Sequence, residues 1–180
     1  GGPILIQSQT ASNSASISFT SGIDSTYDKY VFYFVDINPA TDSAFFQFQV
    51  NAAGGSGFNE DITSTAFLVY QDEAGNATSL GYWASGDQQV GSSYQKLSDA
   101  IGSDADESYA GELSLYNPAS ATYMKNFINR GTHIYPHPSG NFCMGAYISG
   151  YIHQTAAIDE ISFKMTSGNF DGKIKMYGIG

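Results

Sequence analysis

The chain has 180 residues, near the roughly 150-residue size of one domain, so a single domain over residues 1–180 is expected. Its formal net charge is -10, and its basic residues (Lys29, Lys96, Lys125, Arg130, Lys164, Lys173, Lys175) form no patch, which excludes nucleic acid as a partner. Charged residues are only 13%, about half the usual share, while 13 Tyr and 12 Phe supply the residue types that fit pleated, half-buried surfaces.

No run approaches the roughly 20 apolar residues of a membrane span, so no membrane contact is expected. The opening GGPILIQ lacks a basic stretch and a long apolar core, so no signal peptide is expected. Ala15, Ile17 and Phe19 then alternate with Ser14, Ser16, Ser18 and Thr20, the period of a strand with one dry face. In STYDKYVFYFVDI (25–37), Tyr30 to Val35 is unbroken apolar or aromatic. One face can fill a core, but the second needs a cover: a crossing loop, or a partner copy in a cyclic assembly.

INPATDSA (37–44) is a turn in which Pro pre-sets the first turn residue. Phe46, Phe48 and Val50 alternate with Gln47 and Gln49, predicting another amphipathic strand. NAAGGSG (51–57) predicts a Gly-rich hairpin connection, and TAFLVYQ (65–71) a second two-sided strand. DEAGN (72–76) predicts a turn, and residues 94–100 are the best helix candidate. Leu113 and Leu115 alternate with Glu112 and Ser114 before a second Asn-Pro-Ala turn, YNPASAT (116–122). RGTHIYPHPSG (130–140) is broken by Pro and Gly and predicts a loop. Ala146, Ile148 and Ile152 share one strand face, with Tyr147, Ser149, Tyr151 and His153 on the other. Ile161, Phe163 and Met165 form a further strand, TSGNFDG (166–172) a hairpin connection, and GKIKMYGIG (172–180) the last strand. Roughly eight to ten short strands without helical crossovers predict an all-β, antiparallel, jelly-roll-like β-sandwich.

Chemistry is sparse along this frame. Cys143 sits in an apolar run and is expected to be a buried small hydrophobe. Its only conceivable bases are His133, His137 and His153, and no nucleophile elbow occurs, so no catalytic residue is assigned. His133 and His137 have a zinc-like spacing that works on a helix face, which Pro136 and Pro138 oppose. No metal or cofactor is assigned. The acidic stretches GSDADES (102–108, with Asp104, Asp106 and Glu107) and FNEDITS (58–64) predict solvated loops, though either could feed a cation site at a subunit contact.

ASISFTSGIDSTYDKYVFYFVDINPATD (15–42), LYNPASATYMKNFINRG (115–131) and GYIHQTAAIDEISFKMTSGNFDGKIKMYGIG (150–180) together resemble a family of small structural proteins of marine tailed bacteriophages. The shared features are the Ser-Ile-Ser-Phe-Thr opening, the Ser-Thr-Tyr-Asp strand entry, the Asn-Pro turn and the Ser-Gly-Asn ending. Residues 52–106 match least. The resemblance implies a non-enzymatic virion component with a jelly-roll-like fold: a capsid decoration (cement) protein or a tail or fibre part. The expected partners are copies of itself, with a trimer favoured, and the major capsid or other virion proteins. The contact loops would be 51–58, 103–108 and 130–140, grouped at one end of the sandwich. The alternative is a carbohydrate- or receptor-binding module at a tail appendage, stacking a host glycan on Tyr135, Tyr82 and Trp83. A hydrolase using paired carboxylates is a third reading, motivated only by the acidic pairs.

Overall fold

The computed structural model describes residues 1–180, which form thirteen strands and no helix. In chain order these are β1 (Ile4–Ser14), β2 (Ile17–Phe19), β3 (Lys29–Pro39), β4 (Phe46–Ala52), β5 (Ile62–Asp72), β6 (Thr78–Tyr82) and β7 (Gln89–Gly91). They continue with β8 (Gln95–Lys96), β9 (Tyr109–Tyr116), β10 (Lys125–Tyr135), β11 (Phe142–Ile152), β12 (Ile158–Met165) and β13 (Phe170–Ile179). Every pairing is antiparallel.

The nine-stranded sheet has the order β1-β13-β3-β9-β10-β11-β5-β6, with β7 also on β5, and it faces a four-stranded sheet, β2-β12-β4-β8. The chain shuttles between the sheets, so that β1-β13-β3-β9 opposes β2-β12-β4-β8 as two interlocked sets of four. That wiring is a jelly roll. Two insertions depart from it. One lies between β4 and β8 and carries β5, β6 and β7; the other lies between β9 and β12 and carries β10 and β11. They pair with each other and extend the large sheet past β9.

This wiring corrects two turn expectations. Residues 51–57 and 166–172 cross between the sheets instead of closing hairpins, because their flanking strands lie in different sheets. DEAGN does close a hairpin, β5 to β6, with Gly75 at φ 73° as a tight turn requires. Residues 94–100 are not a helix. Gln95 and Lys96 form β8, and the flanking coil is held by tertiary hydrogen bonds. Residues 130–135 belong to β10, so only 136–141 is a loop there.

Alternation sends Phe19, Tyr30, Phe32, Phe34, Phe46, Phe48, Phe127 and Phe163 between the sheets, where all are buried. The Phe163 ring lies at the centre, 5.2 Å from Phe34, 5.4 Å from Phe32, 5.9 Å from Phe46 and 6.3 Å from Phe19. Phe34 and Phe19 meet it edge-to-face, the arrangement that ring quadrupoles favour, while Phe46 stacks on it.

The outward side chains of Tyr30 to Val35 are Val31, Tyr33 and Val35. Val31 is only 2% exposed, since β3 lies between β13 and β9 and its cross-strand neighbours are Tyr177 and Ser114. Tyr33 is half-buried edge-on to Tyr177, and Val35 alone meets water, at 41% exposure. Neighbouring side chains shelter most of this ribbon, so no partner copy is needed to cover it.

Residues 83–101 cross beneath the extension and are tied to it by buried amides and hydroxyls. Gln95 accepts from the Ser64 hydroxyl at 2.7 Å and donates to the Gly86 carbonyl at 2.7 Å. Asn129 donates to the Leu97 carbonyl at 3.1 Å and accepts from the Tyr109 hydroxyl at 3.0 Å. The far face of β4 is covered too: Gln49 donates to the carbonyls of Glu60, Ser92 and Ser93 at 2.9–3.1 Å. At the opposite end of β10 from Tyr135, the buried Lys125 ammonium faces four carbonyl oxygens. Those of Ser120 and Tyr123 lie at 2.6 and 2.9 Å, and those of Gln154 and Thr155 at 3.1 and 3.0 Å.

Removing the central ring should leave a cavity that this packing cannot close. Phe163→Ala is expected to lower the unfolding free energy by about 4 kcal/mol, and the melting midpoint by about 10 °C, in denaturant and calorimetric unfolding. Tyr123→Ala, on a side chain 70% exposed, should change it by less than about 0.5 kcal/mol.

Candidate functional site

The extension has two working faces. On its outer face, the register places Val69 opposite Leu80 and Phe67 opposite Tyr82. Phe67 also stacks on Tyr147 of β11, with ring centroids 4.8 Å apart and planes 12° apart. Leu80 is 69% exposed, Phe67, Val69 and Tyr147 are exposed near it, and the outward Ile128 of β10 is exposed farther along the sheet. An open trough of about 940 Å³ runs along this face, between Leu80 and Val69 on one side and Tyr33 on the other. Arg130 and Glu112 form an ion pair in it at 2.8 Å. A surface pair of this kind adds little stability. The trough borders β6, which ends the sheet and carries the uncharged sequence Thr78-Ser79-Leu80-Gly81-Tyr82.

On the inner face, the small sheet is too narrow to cover the extension. A cleft of about 460 Å³ remains, lined by Leu68, Tyr70, Trp83, Tyr135, Phe142 and Met144, with Asp99 and His137 at its polar positions. Phe142 stacks against Tyr70 (5.4 Å, 10°), Tyr135 (5.9 Å, 14°) and His137 (4.9 Å, 17°), so the rings stand nearly parallel. Asp99 is partly buried. Burial raises its carboxyl above the ordinary aspartate range, while the Ala100 N–H, donating to Oδ1 at 2.7 Å, and the Lys96 charge pull the other way. No protein donor reaches its second oxygen.

Of the three aromatics expected to stack a glycan, Trp83 and Tyr135 line this cleft, whereas the register turns the Tyr82 ring to the outer face opposite Phe67. They differ in exposure: Tyr82 is exposed and bonded to the Asp87 carboxylate, Tyr135 is half-buried, and Trp83 is buried against Gly86. Asp99, Tyr70 and Phe142 were not singled out from the sequence. Tyr70 and Phe142 sit at strand ends whose inward alternation could have found them; Asp99 lies in the segment expected to be helical.

Cys143 is exposed on the outer face rather than buried, because Met144 takes the inward position of that strand. It shares no site with a histidine. His133 is buried on the inner face, His137 lies on Phe142, and His153 accompanies Thr63 at 2.7 Å near the other end of the sandwich. No group of three or more His, Cys, Asp or Glu side chains converges. In the 102–108 stretch, Asp104 and Asp106 face solvent, but Glu107 turns in and accepts from Asn141 at 2.8 Å and from the Asp104 N–H at 3.0 Å. The expected contact loops divide between the ends. Loops 103–108 and 136–141 meet through Glu107 and Asn141, whereas 51–58 packs by Ala157 and Glu60 at the opposite end.

Both His133 ring nitrogens lack a hydrogen-bond partner, and burial lowers its pKa to about 3. The unfolded chain takes up this proton below about pH 6.5 while the folded ring stays neutral, so acid favours unfolding. Between pH 7 and pH 5 this group should cost about 2 kcal/mol of stability. The comparison that checks it is denaturant unfolding of the wild type and His133→Phe at both pH values. The variant should lose that much less on acidification; parallel losses would reject the assignment.

No protein-family profile, no curated protein and no solved structure matches the chain.

Proposed function

We propose that the protein is a non-enzymatic structural component of a bacteriophage virion, a capsid decoration or tail part acting through protein–protein contacts. The observation that carries this reading is the outer face of the extension. Phe67, Val69, Leu80 and Tyr147, neighbours across β6, β5 and β11, leave an apolar surface in water, larger in kind than the scattered exposed side chains normal for a monomer. Beside it, β6 presents an unpaired backbone edge without the charge or proline that usually blocks pairing. A surface that combines both features suits burial against another protein. The resemblance of residues 15–42, 115–131 and 150–180 to marine phage structural proteins supports the virion as the place, and the jelly roll is a fold that capsid proteins use.

Self-association into a cyclic trimer, with further contacts to the major capsid or other virion proteins, is the assembly this reading expects. The small charged fraction of the surface fits a chain that spends its life packed among neighbours.

Sedimentation velocity should give the wild type a multiple of the 19.3 kDa chain mass, with three copies favoured. Leu80→Lys, which places a charge on the most exposed apolar residue of the patch at the sheet edge, should shift it to the single-chain mass without lowering the melting midpoint by more than about 2 °C. A wild type that stays monomeric at tens of micromolar would remove the self-assembly, and absence of the chain from mass spectra of purified mature particles would remove the virion role.

A further inference from the structure

We propose that the inner cleft of the extension is a saccharide site that takes one uncharged or amino pyranose unit. The cleft opens on the opposite face from the apolar trough, so this inference is independent of the assembly reading.

A ligand for this cleft has to satisfy two unlike surfaces at once. Leu68, Tyr70, Tyr135, Phe142 and Met144 offer apolar and aromatic area; in the stacked row Tyr135–Phe142–Tyr70 the inner faces are taken, which leaves the outer faces of the end rings, Tyr70 and Tyr135, as flat platforms. Asp99 places a carboxylate among them, with one oxygen held by the Ala100 N–H and the other lacking a protein donor. A purely apolar ligand would strip water from that carboxylate and return nothing, which is costly. A peptide strand would need a free backbone edge, and the one edge at this cleft, that of β6, points along the plane of the sheet and away from the rings. A pyranose carries an apolar C–H face for the rings and hydroxyl donors for the carboxylate on its rim. An amino group would serve the same oxygen with a charge-assisted bond.

Charge sets the selectivity. With Asp99 at the site and a net charge of -10 on the chain, uronic and sialic acids meet like charge. The volume of about 460 Å³ falls in the range of small-molecule sites and holds a single sugar unit with part of its neighbour. The connector 83–101 pre-forms this site, since Trp83 is wedged against Gly86 and Asp99 follows the Ser98 hydroxyl that accepts from the Phe46 N–H at 2.9 Å.

Trp83 is the chain's one tryptophan, so its fluorescence reports on the cleft alone. The experiment titrates the purified protein with methyl mannoside, methyl galactoside, N-acetylglucosamine, glucosamine and glucuronate, with saturation-transfer NMR in parallel. A saturable emission change at millimolar concentration is expected with at least one neutral or amino sugar, with glucuronate about tenfold weaker or worse. Tyr135→Ala and Asp99→Asn should each weaken binding by about tenfold while keeping the wild-type melting midpoint. Leu80→Lys, on the opposite face, should bind as wild type does even where assembly is lost. Silence of both signals with every sugar would overturn the proposal. So would glucuronate binding as well as the neutral sugars, or indifference to both cleft variants.

Discussion

Nine strands face four, and the apolar inner side of the surplus has to be taken out of water by something other than a sheet. Antiparallel sheets tolerate one wet face, but Ala66, Met144, Ala146 and Ile148 all point inward on the extension. The cover is the connector 83–101, a coil interrupted only by the short strands β7 and β8, and a coil brings unpaired carbonyls and N–H groups wherever it goes. Buried glutamine, asparagine and serine side chains meet that need at the contact. Gln95, Ser98 and Asn129 are each fully buried and each bonded to backbone. Replacing any of them by an apolar residue of similar size would strand backbone groups on the other side of the contact.

The cover is incomplete, and the incompleteness produces the inner cleft. Where the connector ends, Trp83 and Asp99 flank a row of aromatic rings that neither the small sheet nor the coil reaches. The outer trough has a related origin. Lengthening the large sheet by insertion added a face that the jelly-roll frame had no means to pack, and at its last strand, β6, an edge. Both candidate surfaces therefore belong to the inserted strands, while the frame supplies the rigidity beneath them. That division suits a scaffold whose sites sit on what is grafted to it.

Much of the frame is legible in the letters. Strict alternation marks β12, β13, β9 and β11, and the aromatic ribbon of β3 announces a central strand. The two ribbons with apolar residues on both sides looked alike, yet they end differently. In β3 two broad neighbours shelter Val31, whereas in β5 the outer residues Phe67 and Val69 have β11 on one side, where Gly145 offers Val69 no side chain, and only the short edge strand β6 on the other. Position within the sheet decides this, and no local pattern encodes it. The Gln47 and Gln49 side of β4 reads as wet but is buried, because an amide can serve a covering loop as well as it serves water. β10 was hidden for a different reason. Its inward residues include Lys125, Asn129, Gly131 and His133, and its outward ones include Ile128, which inverts the usual sense of the period. Gly131 is required there: a Cβ would lie 2.4 Å from the Tyr109 ring that covers the strand. The aromatic candidates for a glycan were visible as residue types; that Trp83 and Tyr135 converge follows from pairing the β10–β11 hairpin with β5, which is distant in the chain.

The four carbonyls around Lys125 have the composition of a monovalent-cation cage, and the ion in it is an ammonium fastened to the backbone. Three protons shared among oxygens from two loops clamp residues 120–123 to 154–155, the task that calcium performs in many secreted sandwiches. A tethered ion cannot be diluted away or captured by a chelator. This joint therefore forms without any ion drawn from the medium.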